Sequence, residues 1–328
     1  MNFKPQPSND RIVRHNLFCL LVIFLALGSA QATFPGENGR IAFGRYDPAI
    51  GWFRLYTANP DGTDVQPLTH VASSFSDWSA DGKRIAFDFF DDDGNEQIAT
   101  INPDGSHMKA ITSGPGIHEV PSWSPDGSQI AFDYSPSTGG TDFFTSLYVM
   151  NADGSNPHLV TPTGDTFDVE PRFSPDGKQI TFVRIRRDLV GEDGFQPEAV
   201  FVMHADGTSV RQLTPWGSTE HPTWSPDSRW IVFDYDVGFP DQDHPRVLST
   251  IFRIRPDGSK LEVLYNGRNR KGVHKPIFSP DGKKILFGLA TGDIWVVNLD
   301  GSHATNLTNT PNLDENYPSW GVKPSGTQ

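Results

Sequence analysis

The stretch PSWSPDGSQIAFDY, residues 121–134, sets a Ser-Pro-Asp-Gly turn between a segment ending in Trp123 and the apolar triplet Ile130-Ala131-Phe132. Each turn residue has a mechanical role. Ser124 opens a type I turn, Pro125 fixes φ at the first central position, Asp126 suits the second, and Gly127 takes the left-handed position of a bulged hairpin. The phrase recurs as Ser79-Ala80-Asp81-Gly82, Ser174-Pro175-Asp176-Gly177, Ser225-Pro226-Asp227-Ser228 and Ser279-Pro280-Asp281-Gly282. Each copy precedes a triplet at the same offset: Ile85-Ala86-Phe87, Ile180-Thr181-Phe182, Ile231-Val232-Phe233 and Ile285-Leu286-Phe287. A sixth triplet, Ile41-Ala42-Phe43, follows Asn38-Gly39. Ser228 stands in the glycine slot, which requires a strained backbone angle or a different loop.

A second phrase alternates with the first, at Asn59-Pro60-Asp61-Gly62, Asn102-Pro103-Asp104-Gly105, Asn151-Ala152-Asp153-Gly154, His204-Ala205-Asp206-Gly207, Arg255-Pro256-Asp257-Gly258 and Asn298-Leu299-Asp300-Gly301. Each sits between an apolar strand and a strand ending in Leu-Thr or a relative, as at Leu68-Thr69 and Leu213-Thr214. Two hairpins per period make four strands. The triplet phenylalanines 43, 87, 132, 182, 233 and 287 are spaced at 44 to 54 residues, close to the period of a four-stranded propeller blade. The sequence thus predicts an all-β fold: a six-bladed β-propeller of four-stranded antiparallel blades. Blades packed on both faces account for a triplet that is apolar throughout.

Before four of the turns runs a short Pro-x-aromatic strand, at Pro121-Ser122-Trp123, Pro171-Arg172-Phe173, Pro222-Thr223-Trp224 and Pro276-Ile277-Phe278, with Asp77-Trp78 as a partial copy. The first period lacks this piece, and the chain supplies it at the far end as Pro318-Ser319-Trp320. The ring is therefore expected to close by pairing of the C-terminal and N-terminal strands, which removes open sheet edges. The regular spacing of Trp78, Trp123, Trp224 and Trp320 predicts packing between blades.

Residues 1–32 read as a signal peptide: Arg11, Arg14 and His15 precede the apolar run Leu17 to Leu27, and Ala30-Gln31-Ala32 forms a cleavage site. The apolar run is too short to span a bilayer. The propeller is assigned to residues 33–322 and a short tail to 323–328. Cleavage would remove the only cysteine, Cys19, and would take the formal net charge from −13 to −15 by removing Lys4, Arg11 and Arg14 against Asp10. An acidic chain without a basic stripe argues against nucleic-acid binding.

Polar residues precede the Pro-x-aromatic strands: His118 and Glu119, Asp168 and Glu170, Glu220 and His221, His274 and Lys275, then Asp314, Glu315 and Asn316. Equivalent positions of different blades converge at one mouth of a propeller's central channel, so these residues are candidates for a binding site there. Imidazole with carboxylate also suits a divalent metal; a hydrated acidic rim balanced by Lys275 needs none. The insertion between Asp234 and Arg246 carries Asp236, Phe239, Asp241, Asp243 and His244 and is expected to contact a partner.

The series Ser-Pro-Asp-Gly, Ile-Ala-Phe and Asn-x-Asp-Gly over residues 36 to 322 resembles the WD40-like, or PD40, propeller repeat, and is most similar to the C-terminal propeller of the TolB family. That resemblance implies a periplasmic protein with envelope-associated partners. TolB carries an α/β domain before its propeller, whereas only a few residues here separate the expected signal from the first blade. Similar repeats form the propellers of prolyl oligopeptidase-like peptidases, which need a Gly-x-Ser-x-Gly elbow that is missing here, and of metal-dependent oligogalacturonate lyases. The expectation is an exported monomer, periplasmic or secreted, with no membrane span and no cofactor, that binds a protein or peptide without catalysis. The alternative is a metal-dependent lyase or hydrolase acting on a polysaccharide or lactone, with His118, His221 and His274 as ligands and Glu119 or Glu220 as base.

Overall fold

The computed structural model describes residues 33–136, 144–162, 164, 166–189, 196–237, 248–266, 272–310 and 312–326. The expected signal peptide over residues 1–32 and the loop residues Phe239, Asp241, Asp243 and His244 lie outside the described residues. Asp236 falls in strand Ile231–Val237, opposite Ser249. The described residues form strands and turns with no helix, so none is long and apolar enough to cross a membrane.

Four sheets have four antiparallel strands each. One runs Glu315–Val322, Asn38–Asp47, Trp52–Ala58, Gln66–Pro67, which sets the last strand against the first with Ala42 opposite Ser319 and Ile41 opposite Trp320. The other three begin at Thr166–Phe173, Thr219–Trp224 and Val273–Phe278. The fifth sheet has eight strands, in two sets of four that begin at Ser76–Trp78 and Ile117–Trp123. These sets join where Glu96 pairs in parallel with Ile117. The expectation of six separate blades is corrected accordingly: four sheets stand apart and two sets of strands share one. The cause is local. Gly116 takes φ 115, and a Cβ there would come within 2.5 Å of the Ser135 carbonyl oxygen. Glycine thus lets the chain enter Ile117 close enough to Glu96 for its N–H to donate to Gly116 O at 3.2 Å.

The first strands of the six sets touch in succession. Ser76–Trp78 meets Glu315–Val322 and Ile117–Trp123, Thr166–Phe173 meets Ile117–Trp123 and Thr219–Trp224, and Val273–Phe278 meets Thr219–Trp224 and Glu315–Val322. The triplets are the core between sheets. Ile41 and Phe43 pack with Ile277, Leu286 and Ile294 on one side, while Ala42 packs with Trp78, Ile85 and Phe87 on the other. Each buried Ile, Leu or Phe among these contributes roughly 1.5–3 kcal/mol. Trp123 and Trp224 are fully buried, so the tryptophan series packs as expected.

The turns work as the sequence implies. In Ser124-Pro125-Asp126-Gly127 the serine hydroxyl donates to Asp126 Oδ1 at 2.6 Å and accepts the Gln129 N–H at 2.9 Å. Ser228 does take the strained angle, φ 56, and its hydroxyl accepts the Asp176 N–H of the neighbouring sheet at 3.0 Å. The Leu-Thr ends have a specific job as well. Thr69, Thr112, Thr161, Thr214 and Thr308 each accept, through Oγ1, the N–H of the residue fourteen positions earlier in the preceding strand.

Candidate functional site

Proline shapes the site. In five of the six first strands the residue before it has a left-handed φ: Val120, Glu170, His221, Lys275 and Tyr317, at 54 to 59°. Such angles are uncommon outside glycine and mark strain when a β-branched residue such as Val120 adopts them. The ladder shifts register at each of these places, and a bulge of this kind re-aims its side chain. In the sixth strand Ser76 replaces the proline, and Phe75 is the equivalent residue.

Contacts join these six side chains in two groups. Phe75 and Tyr317 meet edge to face at 4.7 Å, and Val120 packs with both in one cluster. The Lys275 ammonium stands 3.3 Å from the centre of the Tyr317 ring and 5.9 Å from that of Phe75, a cation–π arrangement. His221 Nε2 lies 3.8 Å from Glu170 Oε1 and 3.7 Å from Glu220 Oε2. Phe75, Val120 and Tyr317 are hydrocarbon and aromatic; Glu170, His221 and Lys275 are ionisable.

A second set of carboxylates holds the bulges. Asp88 accepts the Phe75 N–H, Asp133 the Glu170 N–H at 3.3 Å, and Asp234 the Lys275 N–H at 3.2 Å. Asp234 Oδ1 also lies 2.8 Å from His221 Nδ1. Sequence reasoning passed over all three. Their signal was present as the residue after the triplet phenylalanine, which is Asp88, Asp133 and Asp234 in three periods and Gly44, Val183 and Gly288 in the other three.

Burial dominates the electrostatics. It drives the His221 imidazole down to about 3, the Glu220 charge opposing, so this ring is neutral at pH 7. It pushes the Glu170 carboxyl well above its ordinary range, with Glu220 adding repulsion and Arg172 and Lys275 opposing. Lys275 is pulled down to about 7 by the same loss of water, and Glu170, Asp234 and Glu220 act against that pull.

The ten residues expected at one mouth divide. Glu170, Glu220 and His221 come together. Asp168 is instead held by Arg184 through bonds of 2.6 and 2.7 Å, and Glu315 by Arg45 at 2.6 and 2.9 Å. His118 lies against Tyr134, ring centres 4.6 Å apart, with Nδ1 3.2 Å from Glu96 O. His274 sits directly over Gly288, where any Cβ would overlap its ring. Of the three histidines expected as ligands, His221 lies beside Glu170 and Glu220, His118 against Tyr134 and His274 over Gly288. His274, one residue before Lys275, is turned away from that position by the two-residue alternation of a strand. Glu119 is half-buried and its carboxyl is raised by burial and by Asp133 and Asp88. Asn316 accepts the Tyr317 N–H at 2.8 Å, and Asp314 is exposed, within the field of Lys275.

Comparison with known proteins adds the lineage. A family model, the PD40 or TolB beta propeller domain, matches residues 41–251. The uncharacterized protein Atu1656 of Agrobacterium fabrum is 26% identical over 175 residues, 50% of this chain and 53% of that one. The Tol-Pal system protein TolB of Anaeromyxobacter dehalogenans is 34% identical over 103 residues, 30% of this chain and 21% of its own length. The matches thus span about half and about a fifth of these relatives. Among solved structures, TolB from Acinetobacter baumannii superposes with a TM-score of 0.67 at 23% identity, over 97% of this chain and 74% of that one, a likeness of fold.

Proposed function

We propose, on the premise that the chain belongs to the PD40 family of TolB beta propeller domains, that it is an exported, non-catalytic, six-bladed ring that binds a basic peptide or protein segment at one end of its axis. Support for six blades comes from the single parallel bridge joining the two halves of the eight-stranded sheet, from the pairing of the last strand with the first, and from the unbroken succession of first strands. Support for export comes from the Ala30-Gln31-Ala32 pattern just before Thr33. Mass spectrometry of protein recovered from the envelope or medium is expected to give Thr33 as the first residue; an intact Met1 there overturns export.

The observation that carries the binding reading is the placement of Lys275. Its ammonium already lies on an aromatic face beside carboxylates, so the circle holds a cationic side chain by the means that a partner's lysine or arginine would meet. Aromatic faces supply contact area and the acidic half selects charge. The lyase or hydrolase reading has less support, because His118 lies against Tyr134 and its Nδ1 faces the Glu96 carbonyl oxygen, away from the His221 cluster.

Peptide-display selection against the full chain tests the reading. Peptides with a basic residue beside an aromatic or aliphatic one should be enriched. Their affinity should fall at least about tenfold, or 1.4 kcal/mol, on Glu220→Lys and stay unchanged on Asp153→Lys in an exposed turn outside the circle. Failure to enrich any peptide, or enriched peptides indifferent to Glu220→Lys, contradicts it.

A further inference from the structure

We propose that Nε2 of His221, with the carboxylates of Glu170 and Glu220, binds one divalent transition-metal ion of the zinc class, and that Asp234 positions the imidazole for it. This goes beyond peptide binding and stands or falls without a partner.

Asp234 Oδ1 lies 2.8 Å from His221 Nδ1, and a carboxylate there accepts the ring proton. Nε2 is then left with its lone pair. That lone pair faces oxygen: Glu220 Oε2 at 3.7 Å and Glu170 Oε1 at 3.8 Å, both too far for a hydrogen bond. His221 is 3% exposed and Glu170 1%, yet neither Nε2 nor Oε1 has any hydrogen-bond partner. Glu170 cannot easily turn away, because its other oxygen accepts the His221 N–H at 3.0 Å. Two buried polar atoms left facing each other without a hydrogen bond are costly, and an ion ligated by both would relieve that cost.

The nearby cations act on these carboxylates through space but donate to neither open atom. Lys275 lies over Tyr317, and Arg172 donates to the Pro171 carbonyl at 2.7 Å. An ion at about 2.0–2.2 Å from Nε2 would be within short reach of both carboxylates. Imidazole with carboxylates suits zinc, manganese or nickel rather than calcium. The carboxylate that fixes Nδ1 is the usual outer partner of a metal-bound histidine. Glu220 is the most exposed of the three ligands, its side chain at 20%, so it leaves the ion's remaining positions open.

The test is zinc chloride titrated calorimetrically into the full chain after chelator treatment, with bound metal counted by elemental analysis. We expect one zinc per chain. Glu220→Gln, at the half-exposed rim, should weaken binding at least about tenfold. His221→Asn, whose new side chain tolerates the left-handed angle, should abolish stoichiometric binding. His118→Asn and His274→Asn should change nothing. Wild-type protein that is folded by circular dichroism yet retains no zinc overturns the proposal. So does zinc retained with equal affinity by Glu220→Gln and His221→Asn. Peptide binding is read separately, so loss of one does not imply loss of the other.

Discussion

Gly154 and Gly258 occupy the same place in two copies of one turn, with φ 91 and 82. Their neighbours differ. A Cβ on Gly154 would overlap the carbonyl oxygen of Ile111, which ends the preceding set of strands, whereas one on Gly258 would meet open space. Alanine at either position bears the left-handed strain, about 1 kcal/mol. Gly154→Ala should cost about 1–3 kcal/mol more than Gly258→Ala, since overpacking is added; equal losses in urea denaturation would mean that the turns do not abut. That the turns need glycine was legible in the repeat, and so was the strained angle at Ser228. Which glycine touches the next sheet was not, because the phrase is the same in both copies. The axial residues show the same limit. Glu170 and His221 were visible as polar residues before proline, but Phe75 was hidden because Ser76 replaces the proline that marks the other strands.

Strands carry the next level of the argument. The third strand of a set lies beside an outermost strand only two residues long in most sets, so part of its ladder has no backbone partner. Thr161 fills the gap by accepting the buried Leu147 N–H at 3.0 Å. Thr161→Val keeps the shape and removes the acceptor, and should destabilise by about 1–3 kcal/mol, the cost of a buried donor left unpaired. A melting temperature unchanged by this substitution would show that water or relaxation satisfies Leu147. The Leu-Thr ending was legible as a motif, and its purpose was not, since the bond it makes spans fourteen residues across a turn. The shared eight-stranded sheet was equally hidden. It depends on Gly116 bringing two sets close; Gly217 makes a comparable bridge to Glu198 in a later period, but as an isolated antiparallel pair that does not merge the two sheets. The bulges that aim Glu170, His221 and Lys275 inward were implied only faintly, by proline inside a strand where it cannot continue the ladder.

For the molecule as a whole, the first and last strands share a sheet, and the proposed ring depends on that pairing. Contacts agree with this from two directions. Trp320 packs with Ile41 and Phe43 beside Ile277, and a Cβ on Gly62 would overlap the Leu307 carbonyl oxygen just as Gly154 meets Ile111. The pairing was foreseeable from the missing strand of the first period. The most direct test uses a chain carrying Cys19→Ser with Ala42→Cys and Ser319→Cys, which stand opposite each other across the joint. On mild oxidation this protein should form an intramolecular disulfide in high yield, with a reversible rise in stability of up to about 5 kcal/mol from so long a closed loop. Thiols that remain free, or that crosslink only between molecules, would show the ends apart and contradict the ring.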